Sequence, residues 1–272
     1  MISGADKQSF FDQGYLVVPG VVPALLCEAA VSAICRHLTL KLDDPSTWYV
    51  GASQGHGIVP VHHDPVFWAI RQLPAIHQVF ADLYNTGHLW VTMDRASFKP
   101  PAHGWGEKVY VDPIHWDGDP RLDSPLSIQG LVYLTDTAAD QGAFCCVPGA
   151  FRSLSEFLLN QTEDALSRLR PDLGDHVVEA IAAPAGSLVL WHRKMPHSSA
   201  ENLTAEPRFT QYVAMDLQGD ENARQHRIEL FSQKRPPAWA VRQNVPDQQI
   251  PETGPEIVLT ELGRKLVGVD RW

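Results

Sequence analysis

In the stretch PIHWDGDP, His115 and Asp117 bring an imidazole and a carboxylate to either side of Trp116. On an extended strand, side chains two apart leave from one face, so this pair converges on a point while Trp116 faces the other way. A second imidazole would complete a facial triad, a ligand set that holds a divalent transition metal and leaves its other coordination positions open. The HxD spacing alone is a weak signal, and the chain carries its own control in VHHDP, where His62 and Asp64 stand equally far apart. There Asp64 precedes Pro65 and an apolar-periodic run, the signature of a helix N-cap with a first-turn proline. His62 and His63 are accordingly expected at the surface or at a pocket edge. No helical pattern follows Asp117, so capping does not account for it.

A triad needs a third ligand from another strand. Of the twelve histidines, His192 and His197 follow the strong strand signal GSLVLWH. His192 falls at the strand end, whereas His197 comes after Pro196, in the turn beyond, from where it can fold back over the site. Ser199, Asn202 and Arg208 follow, and Arg208 opens a new strand after Pro207. A guanidinium beside a metal can grip a carboxylate through two parallel hydrogen bonds, which points to a dicarboxylate co-reactant. On SIQGLVYL, Gln129, Leu131 and Tyr133 share a face by alternation. Arg95, in VTMDRASF, either points inward with Met93 and Ser97 or outward in an ion pair. Trp105 and Tyr110, in the loop before His115, either line a substrate mouth or anchor that loop; with Arg95 and Trp116 they are the candidates for the substrate side.

The elements that must position these residues change character along the chain. Helical spacing is expected from Ala5 to Gln13, after Pro23, and from Pro65 along the stripe Phe67, Ile70, Leu73, Ile76, Phe80 and Leu83, with a short strand YLVV between the first two. After Gly87 come short runs rich in branched and aromatic residues, bounded by Gly, Pro, Asp and Ser and interrupted by a helix near Leu154 to Leu169. This pattern predicts an α+β, mainly β fold: a double-stranded β-helix, or jelly roll, backed by N-terminal helices. One domain is expected over 1–272, with a helical layer to about residue 86, a jelly-roll core to about 218, and a C-terminal loop and helix that serve as cover, lid or subunit contact.

Bulk properties narrow the partners. With 272 residues and 44% hydrophobic content the chain can bury a full core, and 22 Lys and Arg against 32 Asp and Glu give a net charge of -10. No basic field exists to hold nucleic acid or an anionic membrane. No signal peptide is expected, and the longest apolar region is cut by Pro19, Gly20, Pro23 and Glu28, which argues against a membrane span. Cys27, Cys35, Cys145 and Cys146 form no CxxC pair and are read as buried thiols of a reducing, cytoplasmic protein.

The chain resembles the phytanoyl-CoA dioxygenase family of Fe(II)- and 2-oxoglutarate-dependent oxygenases. FFDQGYLVVPGVV is similar to its N-terminal signature, IHWD to its HxD segment, and GLVYLTDTAADQGAFCCVPGAFR to its strand, turn and PGSH-like stretch; His197, Ser199, Asn202 and Arg208 match its distal-histidine block. These pieces cover most of residues 9 to 217. Ala150 and Phe151 stand where the family carries Ser-His, and the family's lysine that assists 2-oxoglutarate has no assigned position. The resemblance implies that His115, Asp117 and His197 hold Fe(II), that 2-oxoglutarate chelates it through its keto acid end, and that Arg208 and Ser199 hold the far carboxylate. It implies O2 at the remaining position, Gln129 and Tyr133 bordering the site, and release of succinate and CO2. Asp117 fills the position that related halogenases leave small for a halide, so hydroxylation is expected, with desaturation and ring closure still open. The expected substrate is a small metabolite or natural-product intermediate, since no basic cluster suits the phosphates of coenzyme A; a monomer or homodimer is expected. Two other classes compete: a cupin-like metal enzyme without 2-oxoglutarate, such as an isomerase or hydrolase, and an inactive binding module on the same fold.

Overall fold

Branched and aromatic runs favour pleated, half-buried strands, and in the computed structural model, which describes residues 1–49, 57–103, 113–246 and 248–272, they form two antiparallel sheets. Along the chain come α1 (Gly4–Gln13), β1 (Tyr15–Val18), α2 (Ala24–Leu38), a 3-10 turn (Pro45–Tyr49), β2 (Ile58–Val59), α3 (Pro65–Arg71) and α4 (Pro74–Tyr84). Then follow β3 (Leu89–Val91), β4 (Ala96–Lys99), β5 (Ile128–Tyr133), β6 (Phe144–Cys146), α5 (Pro148–Arg152), α6 (Leu154–Leu159), α7 (Glu163–Ser167) and β7 (Glu179–Ala180). The chain continues through β8 (Leu188–His192), β9 (His197–Ser199), β10 (Arg208–Tyr212), β11 (Met215–Leu217), α8 (Glu221–Ser232), α9 (Ala238–Arg242) and α10 (Glu261–Val267). The larger sheet runs β1-β8-β5-β10-β4-β2, with β11 bridging β3 and β5; the smaller runs β7-β6-β9. This is the expected jelly-roll core with helices packed against it.

Several elements depart from the sequence expectation. The stripe from Phe67 to Leu83 is two helices, because Pro74 cannot continue the first: Leu73 adopts an extended conformation before it and α4 restarts with the proline in its first turn. Asp64 caps α3 as expected, its carboxylate accepting from the Val66 N–H at 2.9 Å. The helical layer carries the expected strand YLVV as β1, paired along β8, and in addition the strand β2, paired with β4. The helix near Leu154 to Leu169 is two short ones, α6 and α7, and α5 occupies the stretch where Ala150 and Phe151 replace Ser-His. The cysteines are free, Cys35 half-buried and the other three buried.

The C-terminal cover closes over a buried polar cluster. Arg71, fully buried, donates to the carbonyls of His62 at 2.7 Å and Asp94 at 2.6 Å. His62 and His63 are 1% and 2% exposed, which overturns their surface placement. The His63 ring donates to the Arg235 carbonyl at 2.7 Å, its backbone N–H donates to Glu252 at 2.9 Å, and the His62 ring packs on Trp239. Those partners lie more than 150 residues away in sequence, beyond the reach of any local pattern.

This cluster predicts a pH dependence of stability. Burial pushes both imidazoles down from 6.5 to about 4, and pushes the Glu252 carboxyl up from 4.5 to about 7. The histidines therefore favour the folded state above pH 6.5 and lose that contribution as pH falls toward 4. Glu252 acts in the opposite sense: it favours the folded state below pH 4.5 and loses that contribution as pH rises through 7. Between these limits two histidine protons taken up on unfolding outweigh one released by Glu252, so this cluster lowers stability by about 1.4 kcal/mol per pH unit of acidification, and His192, which burial also pushes down to about 4, adds a like amount. Glu252→Gln removes the opposing proton and should steepen the slope by about 1.4 kcal/mol per pH unit, as read from urea unfolding across the same window; an unchanged slope would show that Glu252 is not protonated in the fold.

Candidate metal centre

Backbone pairing brings the two imidazoles together. His115 and His197 form an isolated antiparallel bridge, each N–H donating to the other's carbonyl at 3.0 Å, so that their side chains emerge adjacent on one face. Their ring centroids are 4.7 Å apart. His197 is the first residue of β9, inside the smaller sheet, where the sequence placed it in a turn. Phe144 and Trp191 pack against its ring with centroids at 6.0 Å and 5.2 Å.

The tautomers follow from the carbonyls each ring meets. His115 Nδ1 lies 3.0 Å from the Pro113 carbonyl and His197 Nδ1 lies 2.9 Å from the Met195 carbonyl. A carbonyl only accepts, so both Nδ1 atoms carry hydrogen and both Nε2 atoms present lone pairs. Asp117 faces them with one oxygen 3.5 Å from His115 Nε2 and the other 3.5 Å from His197 Nε2. The ligand atoms of all three residues lie within 4.8 Å of one another, close enough to share one ion. Burial would raise the Asp117 carboxyl, but the His115 and His197 rings, whenever a second proton makes them cationic donors, together with the Gln129 N–H outweigh it and hold the group well below the usual carboxylate range.

Gln129 orients that carboxylate. On β5, opposite Trp191 of β8, its amide N–H donates to Asp117 while its carbonyl accepts from the Trp191 indole at 3.0 Å. Side chains that fix a ligating carboxylate are worth 10–100-fold in metal affinity or activity. Gln129→Leu should therefore weaken Fe(II) binding by roughly that factor, measured by competition with a chelator. Tyr133, on the same face, is not brought to the metal: its hydroxyl donates to the Ile181 carbonyl and accepts from the Phe144 N–H, both at 2.8 Å, inside the core. Trp116 is also a core anchor, 1% exposed and donating to the Lys194 carbonyl at 3.1 Å, with one edge on the outer cavity.

Two adjoining cavities, of about 640 and 350 Å³, meet at the triad and share Arg95, Ser199, Arg208 and Tyr212. Arg208 is 1% exposed, and its Nη2 donates to Ser97 Oγ at 2.7 Å. Its Nε and Nη1 have no hydrogen-bond partner among the described residues. A buried guanidinium with two unused donors is an incomplete pair, and an anion is what completes it. Lys99, to which the sequence gave no role, pairs with Arg208 across β4 and β10 and donates to Ser199 Oγ at 2.9 Å, fixing that hydroxyl at the cavity wall. Arg95 lines both cavities, the inward alternative, and makes its ion pair there, bonded to Asp94 at 3.0 Å. Trp105 and Tyr110 lie outside the described residues.

The phytanoyl-CoA dioxygenase (PhyH) family model matches residues 10–210. A phytanoyl-CoA dioxygenase-type protein of Dictyostelium discoideum is 24% identical over 254 residues, covering 75% of this chain and 73% of its own. Among solved structures, the GlcNAc Inducible Gene 2 protein of Candida albicans matches 100% of this chain and 77% of its own with a TM-score of 0.74 at 11% identity. HygX from Streptomyces hygroscopicus, solved with nickel, 2-oxoglutarate and hygromycin B, matches 79% and 86% with a TM-score of 0.56 at 16% identity. At such identities the structural likeness establishes the fold, while the family match spans the triad, Ser199 and Arg208. The chain belongs to the phytanoyl-CoA dioxygenase family.

Proposed function

We propose that the protein is an Fe(II)- and 2-oxoglutarate-dependent oxygenase that hydroxylates a small organic molecule. The observation that carries this reading is the pairing, in one cavity, of a His-Asp-His cluster with a buried guanidinium whose Nε and Nη1 lack partners among the described residues. The donor set fits Fe(II), and Arg208 fits the free carboxylate of 2-oxoglutarate. When bound, the iron with 2-oxoglutarate and O2 supplies the oxidising power, yielding succinate and CO2. The chain's own residues do the positioning. His115, Asp117 and His197 offer the metal ligands, and Gln129 locks the Asp117 carboxylate in register. Arg208 and the Lys99-held Ser199 grip the far carboxylate. Leu131, Phe144 and Trp191 supply an apolar wall that keeps water from the reacting carbon.

The test is Fe(II)-dependent conversion of 2-oxoglutarate to succinate, stimulated by members of a small-molecule panel, with product mass raised by one oxygen atom. An isomerase or hydrolase on this fold has no use for a carboxylate grip, and its activity would survive Arg208→Met. Absence of succinate under every condition, with metal bound, would leave the inactive binding module.

A further inference from the structure

The smaller cavity is lined by a second guanidinium already fixed in orientation. The Arg95 guanidinium carbon lies 4.0 Å from the Tyr212 ring centroid and 4.8 Å from that of Trp239, between the two aromatic faces. Stacking of this kind holds the plane of the fork with about 1–2 kcal/mol. Nη1 is taken by Asp94, whereas Nε and Nη2 carry no hydrogen bond among the described residues, so one edge of the fork is free. That edge belongs to a side chain lining the same chamber as His115, Asp117, His197 and Gln129.

Charge balance indicates what the edge is for. Three guanidiniums line the chamber, those of Arg95, Arg208 and the exposed Arg242, against two carboxylates, Asp94 and Asp117. A divalent metal and a dianionic cosubstrate cancel each other, which leaves one positive charge uncompensated. That surplus, carried by the exposed Arg242, favours an anion in the chamber, although the chain as a whole carries -10. Arg208 with the metal already accounts for both ends of the cosubstrate, so the Arg95 edge is left for the other reactant.

We infer that the prime substrate is a small organic monocarboxylic acid whose carboxylate docks on the free edge of Arg95. The inference rests on the oxygenase reading and adds the substrate class to it. Leu131, Ala214 and Tyr212 face the same chamber and offer apolar contact to the remainder of the molecule. Trp239 and Arg242 come from α9, beyond residue 210 where the family match ends, so this clamp is built partly from a segment outside the family model.

The test uses the Fe(II) holoenzyme saturated with 2-oxoglutarate under argon, so that Arg208 is filled. Propionate, hexanoate and benzoate are each titrated against the matching primary amide, followed by perturbation of the iron-to-2-oxoglutarate charge-transfer absorption. At least one acid should bind ten-fold or more tighter than its amide. Arg95→Gln should erase that preference while leaving 2-oxoglutarate affinity within two-fold. Arg95→Lys, which keeps the charge and loses the fork, should retain only part of it. Equal binding of every acid and amide would overturn the inference, as would a preference that survives Arg95→Gln. So would a ten-fold loss of 2-oxoglutarate affinity in Arg95→Gln, or phenyl phosphate binding ten-fold tighter than benzoate. Failure of 2-oxoglutarate itself to bind the wild-type holoenzyme would instead sink the oxygenase reading, and the inference with it.

Discussion

His197→Ala is expected to lower Fe(II) affinity by more than about 100-fold, beyond what the loss of a supporting partner costs, and to bring succinate formation to background. The physical reason is that the substitution takes a ligand atom, Nε2, from the site along with the rest of the ring, while the backbone stays in place. The bridge to His115 is made by backbone atoms and survives the substitution, so the fold keeps its register. Two ligands then remain, and Asp117 loses one of the two imidazoles facing its oxygens at 3.5 Å. Equilibrium dialysis of Fe(II) under argon, with circular dichroism as the control for folding, reads the result. Metal affinity within ten-fold of wild type would mean that the ion is held elsewhere.

The triad was legible because its geometry is local on each side. His115 and Asp117 sit at strand spacing, and His197 lies just beyond β8, one of the strongest strand signals in the chain. Arg208 was legible because it opens β10 after a proline. What sequence could not supply was the company each group keeps. The Trp191–Gln129–Asp117 chain of hydrogen bonds joins three separate segments, and Lys99 meets Ser199 from a strand a hundred residues away. The C-terminal cover was the least readable part. No residue of α8 is buried, so it has no apolar stripe to betray it, and α9 is only five residues long. Yet that segment buries His62 and His63 and delivers Trp239 to Arg95. The basic lining of the cavity is invisible in the linear sequence for the same reason: its arginines come from β10, from the residue preceding β4, and from α9.

Arg208→Met should produce two effects of opposite sign. Affinity for 2-oxoglutarate should fall by roughly 2–5 kcal/mol, the usual consequence of truncating one partner of a buried charge pair. The protein free of cosubstrate should at the same time become more stable. Arg208 is 1% exposed, its guanidinium has a single hydrogen bond among the described residues, to Ser97, and burial pushes its pKa down, so the fold holds a charge without a counter-charge. Replacing such a group by an apolar side chain of similar length relieves about 1–4 kcal/mol, offset by about 1 kcal/mol for the Ser97 hydroxyl left without its donor. Urea unfolding with and without 2-oxoglutarate separates the effects: wild type should be weaker alone and gain from the cosubstrate, whereas the variant should be stronger alone and gain nothing. A variant that is less stable without 2-oxoglutarate would mean that the protein itself already satisfies Arg208. The buried guanidinium would then be structural, and the grip on the cosubstrate would have to come from another residue.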